Sequence, residues 1–360
     1  MPRFLHTADW QLGLRLNYVA GDSGASLRRQ RFQTVERIAE VAHDKQAEVV
    51  LVAGDVFDAN SVGNDTIQLA LDALQSFGDI PVVLLPGNHD PGTPDSALAR
   101  LGSKNSNLMI ALTTDPIIFG DLEIYPCPLV SRHTYDDPTR HLPSRESKEK
   151  VRVALAHGGV INFSEEGVTA NYIDADNVIS KGFDYLALGD WHGLYRYNER
   201  VWYPGTPEAT RFKERRPGFV LLVDIEAPGI SPSVEEFEVQ QTRWLQQEFE
   251  FLEDAEINKL ECWFNELERP SATLVELTLL GTLTLLGRAR LEELLNEYSE
   301  RLPYMRIRSE QITDYPTEDD WGSFTQDGLL QPALAVLQLK SDPVDQDALR
   351  LLYRLLKEQE

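Results

Sequence analysis

Cysteine is nearly absent from this chain of 360 residues: Cys127 and Cys262 are the only two, far apart and outside any C-x-x-C pair. That excludes a disulfide framework and a thiolate metal site, and it fits a reducing cytoplasm. Long apolar runs are lacking as well. No stretch approaches the roughly 18 uninterrupted apolar residues that a membrane span needs. The opening Met1-Pro2-Arg3-Phe4-Leu5-His6-Thr7-Ala8-Asp9 has no extended apolar core of the kind a secretory leader carries. The expectation is a cytoplasmic protein without membrane contact. Basic charge is scarce too, with 34 Lys and Arg against 58 Asp and Glu, a formal net charge of −24. A broad cationic surface, the usual source of nonspecific nucleic-acid affinity, is excluded. The deficit deepens toward the end, where residues 251–360 hold twice as many acidic as basic residues. Two local clusters run against it: Arg28, Arg29 and Arg31, and then Arg211, Lys213, Arg215 and Arg216. Each reads as a solvated face.

What the sequence does contain is a series of short apolar, β-branched runs at Arg3 to Thr7, Val49 to Val52, Val82 to Leu85, Val151 to Leu155 and Tyr185 to Leu188. Runs without polar alternation read as strands buried on both faces. Between them, Leu27 to Asp44 and Asp65 to Phe77 place apolar residues at helical spacing, which predicts β-α-β units and a layered α/β core. A further strand over Gly218 to Ile225 ends at Ala227-Pro228-Gly229-Ile230-Ser231-Pro232, a turn that marks the expected edge of that core. Beyond it an extended segment, helices and strands alternate as a small α+β unit. The expected division is a core over 1–230, a cap domain over 231–340 and a helix over 341–360. Ala348, Leu351, Leu352, Leu355 and Leu356 share one face of that helix, which either docks on its own protein or meets a partner.

Each of the five runs is followed by chemistry. The motifs are Asp9-Trp10-Gln11, Gly54-Asp55-Val56-Phe57-Asp58, Gly87-Asn88-His89-Asp90, His157-Gly158-Gly159 and Gly189-Asp190-Trp191-His192. Singly, any one of them is an ordinary loop. Together, at successive strand ends, they supply the carboxylates, carboxamide and imidazoles that hold two divalent ions about 3.5–4 Å apart, with Asp55 the natural bridging carboxylate. The neighbouring glycines let the chain turn sharply and admit a phosphate. His6, His43, His133 and His141 read as structural or solvated, and Trp10 and Trp191 either stack a base or pack against their loops.

This ordered set resembles the calcineurin-like metallophosphoesterases, whose pattern is D-x-H, G-D-x-x-D, G-N-H-D/E, a lone His and G-H-x-H, over about residues 3–225. Within that superfamily the opening His6-Thr7-Ala8-Asp9-Trp10-Gln11-Leu12-Gly13 and the later Tyr203-Pro204-Gly205-Thr206-Pro207-Glu208 are most similar to the SbcD nuclease subunits of SbcC–SbcD repair complexes, counterparts of the eukaryotic Mre nuclease. The resemblance implies a layered β-sandwich metallophosphoesterase core flanked by helices, with a small α+β C-terminal cap. It implies a two-metal hydroxide attack on a phosphodiester of DNA, a coiled-coil ATPase of the SbcC type as partner, and a dimer. Carried over, Asp9, Asp55 and His192 hold one metal, Asp55, Asn88 and His157 the other, and His89 is the catalytic histidine. Gln11 and Asp190 stand where the pattern has histidines, one in each metal's shell. These oxygen donors favour Mn²⁺ or Mg²⁺ over Zn²⁺, with Mn²⁺ the first expectation. Asp90 is expected to orient the His89 ring, with Asp58 near the bridging carboxylate or capping its loop, and Arg211 and Lys213 to contact substrate. Two alternatives stay open on the residues alone: a phosphodiesterase or phosphatase for a small or protein substrate, and a scaffold subunit whose metal centre Gln11 and Asp190 have weakened.

Overall fold

Successive side chains of a strand point to opposite faces, so a strand that is apolar at every position must be covered on both sides. That requirement organises residues 1–19, 21–102, 107–147, 149–160 and 170–315, which the computed structural model describes. Strands β1 (Arg3–Thr7), β2 (Val49–Val52) and β3 (Val82–Leu84) lie side by side and parallel, Leu5 opposite Val50 and Leu51 opposite Val83. The sheet they form has six strands, and Phe219–Asp224 runs antiparallel to β1 on its other side. One face, with Leu5, Val50, Val52, Val82 and Leu84, packs under helices α1 (Gly21–Asp44) and α2 (Asn64–Leu74), on Val35, Ile38, Ala42, Ala70 and Leu71. The other face, with Phe4, Val49, Leu51 and Val83, meets Val153, Leu155, Tyr185 and Ala187 of a second six-stranded sheet. In that sheet Val151–His157 and Tyr185–Gly189 are parallel neighbours. Its outer face is covered by the helix Ala175–Ser180 and by Phe183. Burying each Val or Leu completely stabilises by roughly 1.5–3 kcal/mol over leaving it exposed, so both sheets are fixed by the same unbroken apolar runs.

The result is the layered α/β architecture expected, with two differences. Helix α1 starts at Gly21 rather than Leu27, because its first turn exposes polar residues and buries only Gly24, leaving no apolar period to read. The boundary expected at residue 230 is also corrected. The first compact unit runs to Arg243 and the second begins at Trp244. Pro228 and Gly229 lie in a hairpin turn, after which Ser233–Glu238 returns antiparallel to Phe219–Asp224 as an edge strand of the first sheet. In the second unit Thr273–Thr284 and Tyr304–Tyr315 are parallel and joined by the helix Leu285–Arg301, over a core that includes Phe251, Leu260, Phe264, Val275, Leu277 and Tyr298. The helix expected over 341–360 lies outside the described residues. No helix among the described residues is long and apolar enough to cross a membrane.

Candidate metal centre

Parallel strands deliver their carboxyl ends to one edge, and here the chain leaves that edge under strain. Asp9, Gln11, Asp55 and Asp190 all have positive φ, at 54°, 50°, 52° and 98°. Such a backbone costs a non-glycine residue of order 1–3 kcal/mol and persists only where the surroundings over-determine it. The surroundings do so: the Asp9 amide donates to the Gly54 carbonyl at 3.0 Å, that of Gln11 to Asp55 at 3.0 Å, and that of Leu12 to Val56 at 2.8 Å. The β1–β2 pairing therefore continues as a ladder through both ligand loops. From the far side, the Thr206 hydroxyl donates to the Asp9 carbonyl at 2.8 Å, and the buried Arg31 donates through Nε and Nη2 to the Trp10 carbonyl. Arg31 is thus a structural clamp and not part of a solvated face. Trp10 is buried, stacks on Phe77 and donates to Thr7 Oγ1, so it packs within the fold and offers no face to a base.

The donor atoms converge. One ligand atom from each of Asp9, Asp55 and His157 lies within 4.8 Å of the others. His157 Nδ1 sits 2.8 Å from the Ala53 carbonyl, which can only accept, so the ring's proton is held there. That leaves Nε2 facing Asn88 Oδ1 at 3.0 Å, Asp55 Oδ1 at 3.5 Å and Asp190 Oδ1 at 3.8 Å. A lone pair aimed at three acceptor oxygens is repulsive unless a cation or a second proton lies among them. The electrostatics agree. Burial pushes Asp9 up to about 7, against the pull of His157 and His192. Burial opposes charge on His157, but Asp55, Asp9 and Asp190 outweigh it and push it up to about 9. Hard carboxylate and carboxamide oxygens with one imidazole nitrogen suit a divalent ion of the Mn²⁺ or Mg²⁺ kind. The residues fit such an ion on this chemistry.

Glycines beside the ligands make room for them and not, at these positions, for a substrate. A Cβ on Gly87 would stand 2.2 Å from Asp55 Oδ1, and one on Gly54 would stand 2.2 Å from His157 Nδ1.

Several expected residues are placed with a different part to play. Gln11 is buried, and its amide nitrogen donates to Asp55 Oδ2 at 2.9 Å, so it braces the central carboxylate. Asp190 turns its backbone amide to both carboxylate oxygens of Asp9, each at 3.1 Å, and leaves its own carboxylate partly exposed. His89 is half-buried. Its amide donates to Asp55 Oδ1 at 2.9 Å, and its Nδ1 lies 2.9 Å from the Asp58 carbonyl, which fixes the orientation of the ring. The role expected of Asp90 is therefore corrected. Asp90 is buried, and its carboxylate accepts the amides of Gly87 at 2.8 Å and Phe57 at 3.0 Å. It ties the β2 and β3 loops together, while the backbone of Asp58 orients the His89 ring. Arg211 and Lys213 are exposed, and Arg211 Nε lies 3.4 Å from Glu214.

Glu214 is the residue that the sequence did not disclose. Its carboxylate accepts the His192 Nδ1 proton at 2.6 Å and the Thr210 amide at 2.8 Å, which directs His192 Nε2 away from it as the free donor. Burial opposes charge on both groups, but their mutual attraction prevails, holding Glu214 below the usual carboxylate range and His192 above its ordinary value. The sole signal was an acidic residue inside a basic cluster. Glu208 is likewise buried, bonded to Thr34 and to the amides of Gln241 and Thr242, which gives the Tyr203-to-Glu208 motif a bracing role.

Residues 2–225 match the family model described as calcineurin-like phosphoesterase. Two curated relatives are each named as the SbcD component of the SbcCD nuclease. That of Staphylococcus saprophyticus is 25% identical over 62% of this chain and 66% of its own length, and that of Bacillus subtilis is 28% identical over 59% and 63%. The chain thus spans just under two thirds of the length of each. Among solved structures, the crystal structure of TT1561 of Thermus thermophilus aligns with a TM-score of 0.44 at 12% identity, covering 66% of this chain and 99% of that one.

Proposed function

Because the chain belongs to the calcineurin-like phosphoesterase family, we propose that it is a metal-dependent phosphodiester hydrolase acting on DNA, a nuclease of the SbcD type. The observation that carries this is the gathering of Asp55, Asn88 and Asp190 oxygens around His157 Nε2, a donor set that a divalent cation would satisfy. The nuclease class is supported by the two relatives' names. Asp9, Asp55 and His192, with Gln11 braced beside them, would hold one ion, and Asp55, Asn88, His157 and Asp190 would hold the other, with Mn²⁺ the expected metal. When bound, the ions supply Lewis acidity toward the phosphoryl oxygens. The protein's own part is to place and protonate. Gln11 and the His89 amide hold Asp55 in one rotamer, and Ala53 and Glu214 fix the ring orientations of His157 and His192. His89, its Nδ1 proton held at the Asp58 carbonyl, presents Nε2 to the leaving oxygen, and in its imidazolium form gives the Nε2 proton to that oxygen and is left neutral. A soluble complex with a coiled-coil ATPase of the SbcC type, as a dimer, completes the reading.

The test offers linear duplex DNA and a small phosphodiester to the protein with Mn²⁺, with His89→Ala and Asp55→Ala as controls. Cleavage of both substrates, lost in both variants, is expected. Hydrolysis of the diester with DNA intact at every salt concentration would favour the small-substrate reading. Failure to bind metal at all would favour a scaffold.

A further inference from the structure

We propose that a cleft beside the metal centre is an anion site for the sugar-phosphate backbone of a DNA strand, held by Arg15, Arg28 and Arg29. The ligand class rests on the nuclease reading; the site rests on its own geometry. The cleft encloses about 550 Å³. One wall is a face of α1, where Ala25, Arg28, Arg29 and Phe32 follow the spacing that aligns side chains on a helix. The opposite wall is the start of α2, including Thr66, and the floor comes from the two loops that leave β1 and β2. Gly13, at φ 89°, lets the first loop approach the second, since a Cβ there would stand 2.8 Å from Val62 Cγ1.

Three features make this more than a solvated basic face. First, the arginines converge from separate elements. Arg15 comes from the loop after Gln11, and Arg28 Nη1 donates to the Arg15 carbonyl at 3.1 Å, which pins the helix arginine over that loop. Second, the charge is local and against the trend. Among the described residues lining the cleft three are arginines and one, Asp58, is acidic, in a chain of net charge −24. Arg31, two positions on, is spent on the Trp10 and Ala209 carbonyls, whereas Arg28 and Arg29 are exposed. Third, the cleft shares a wall with the catalytic histidine, because Asp58 lines it and Asp58's carbonyl holds His89 Nδ1. A strand whose scissile phosphate sits at His89 therefore has its neighbouring phosphates within reach of planar guanidinium groups, which bind phosphate oxygens in pairs. A small diester is too short to use the cleft. An overall acidic protein could in this way select a long polyanion at one place only.

The decisive measurement is binding of a fluorescein-labelled phosphorothioate oligonucleotide, which keeps the backbone charge and resists cleavage, to the Mn²⁺-loaded protein over a range of salt concentrations. Arg28→Gln/Arg29→Gln should weaken binding about tenfold or more at low salt. Its dependence of log affinity on log salt should be shallower by about 1.4, at roughly 0.7 for each single-strand phosphate that is no longer neutralised. Arg28→Lys/Arg29→Lys should keep most of the slope. If the double glutamine variant does not fold, Arg15→Gln and Arg29→Gln singly should each remove about half of the slope change. Unaltered affinity and slope in these variants, or no binding by the parent protein, overturns the proposal. An oligonucleotide that binds as described while its unmodified form resists cleavage refutes the nuclease reading and leaves the cleft standing.

Discussion

Changing Glu214 should loosen the metal centre without altering any metal-ligand residue. Its carboxylate is buried, with 4% of the side chain exposed against 16% for His192, and the bond between them is 2.6 Å long. A charge-assisted hydrogen bond of this kind contributes about 1.5–3 kcal/mol. Partners of this sort, standing behind a metal-binding imidazole, typically account for about 10–100-fold in metal affinity. Glu214→Gln retains an oxygen for His192 Nδ1 but loses the charge, so it belongs near the tenfold end. Glu214→Ala also strands the Thr210 amide and frees the ring to turn, so it belongs near the hundredfold end. Arg211→Ala is the control: its Nε is 3.4 Å from the same carboxylate, but the side chain is 68% exposed, and a solvent-screened pair of that kind contributes little. Calorimetric titration of Mn²⁺ into metal-stripped protein reads the effect as a weakening of one class of site, with thermal denaturation confirming that each variant is folded. A folded Glu214→Ala protein that binds every equivalent of Mn²⁺ as tightly as the parent would refute the positioning argument.

Mn²⁺ affinity should rise with pH from about 6 to 9, since the ion must displace the protons that Asp9, at about 7, and His157, at about 9, hold in the metal-free site; calorimetry in buffers of different ionisation enthalpy should detect the released protons, and a flat profile would contradict the assignment. Gly87→Ala should destabilise the protein by about 1–3 kcal/mol through overpacking and cut Mn²⁺ affinity, because its Cβ falls on Asp55 Oδ1; a melting temperature and metal titration equal to the parent's would count against it. His6, buried between the Tyr185 hydroxyl and the Leu188 carbonyl, is pushed down to about 3 by burial. A depressed histidine contributes stability that is present above its unfolded value near 6.5 and lost as pH falls toward 3, at up to about 1.4 kcal/mol per pH unit for one proton. His6→Phe should therefore show a shallower decline of stability across that window in denaturant titrations, and an unchanged slope would show that His6 does not carry it.

Much of the core was legible because its determinants are local. The apolar runs at Val49–Val52 and Val151–His157 carry their double burial in their lack of alternation, and α2 carries its face in the spacing of Ile67, Ala70, Leu71 and Leu74. What misled was also local. Pro228-Gly229 has the composition of a domain boundary and of a hairpin turn alike, and only the pairing of Ser233–Glu238 with Phe219–Asp224 distinguishes them. Adjacency in sequence likewise pointed to Asp90 as the partner of His89, yet neighbouring residues in the tight loop aim their side chains apart, and the oxygen that reaches His89 Nδ1 comes from the β2 loop.

By itself, the sequence determined which residue types stand at which strand ends, and with them the class of chemistry, because donor atoms and strand patterning are properties of short segments. Only the tertiary structure decided what each of those side chains does. Gln11 braces Asp55, Glu214 holds His192 from 22 positions away, and Arg31 is buried as a clamp while Arg28 and Arg29 line an open cleft. Hydrogen-bond partners are chosen by direction. Direction at this site is set by left-handed backbone turns at Asp9, Gln11, Asp55 and Asp190 that no pattern of residues announces, and that contacts from distant segments hold in place.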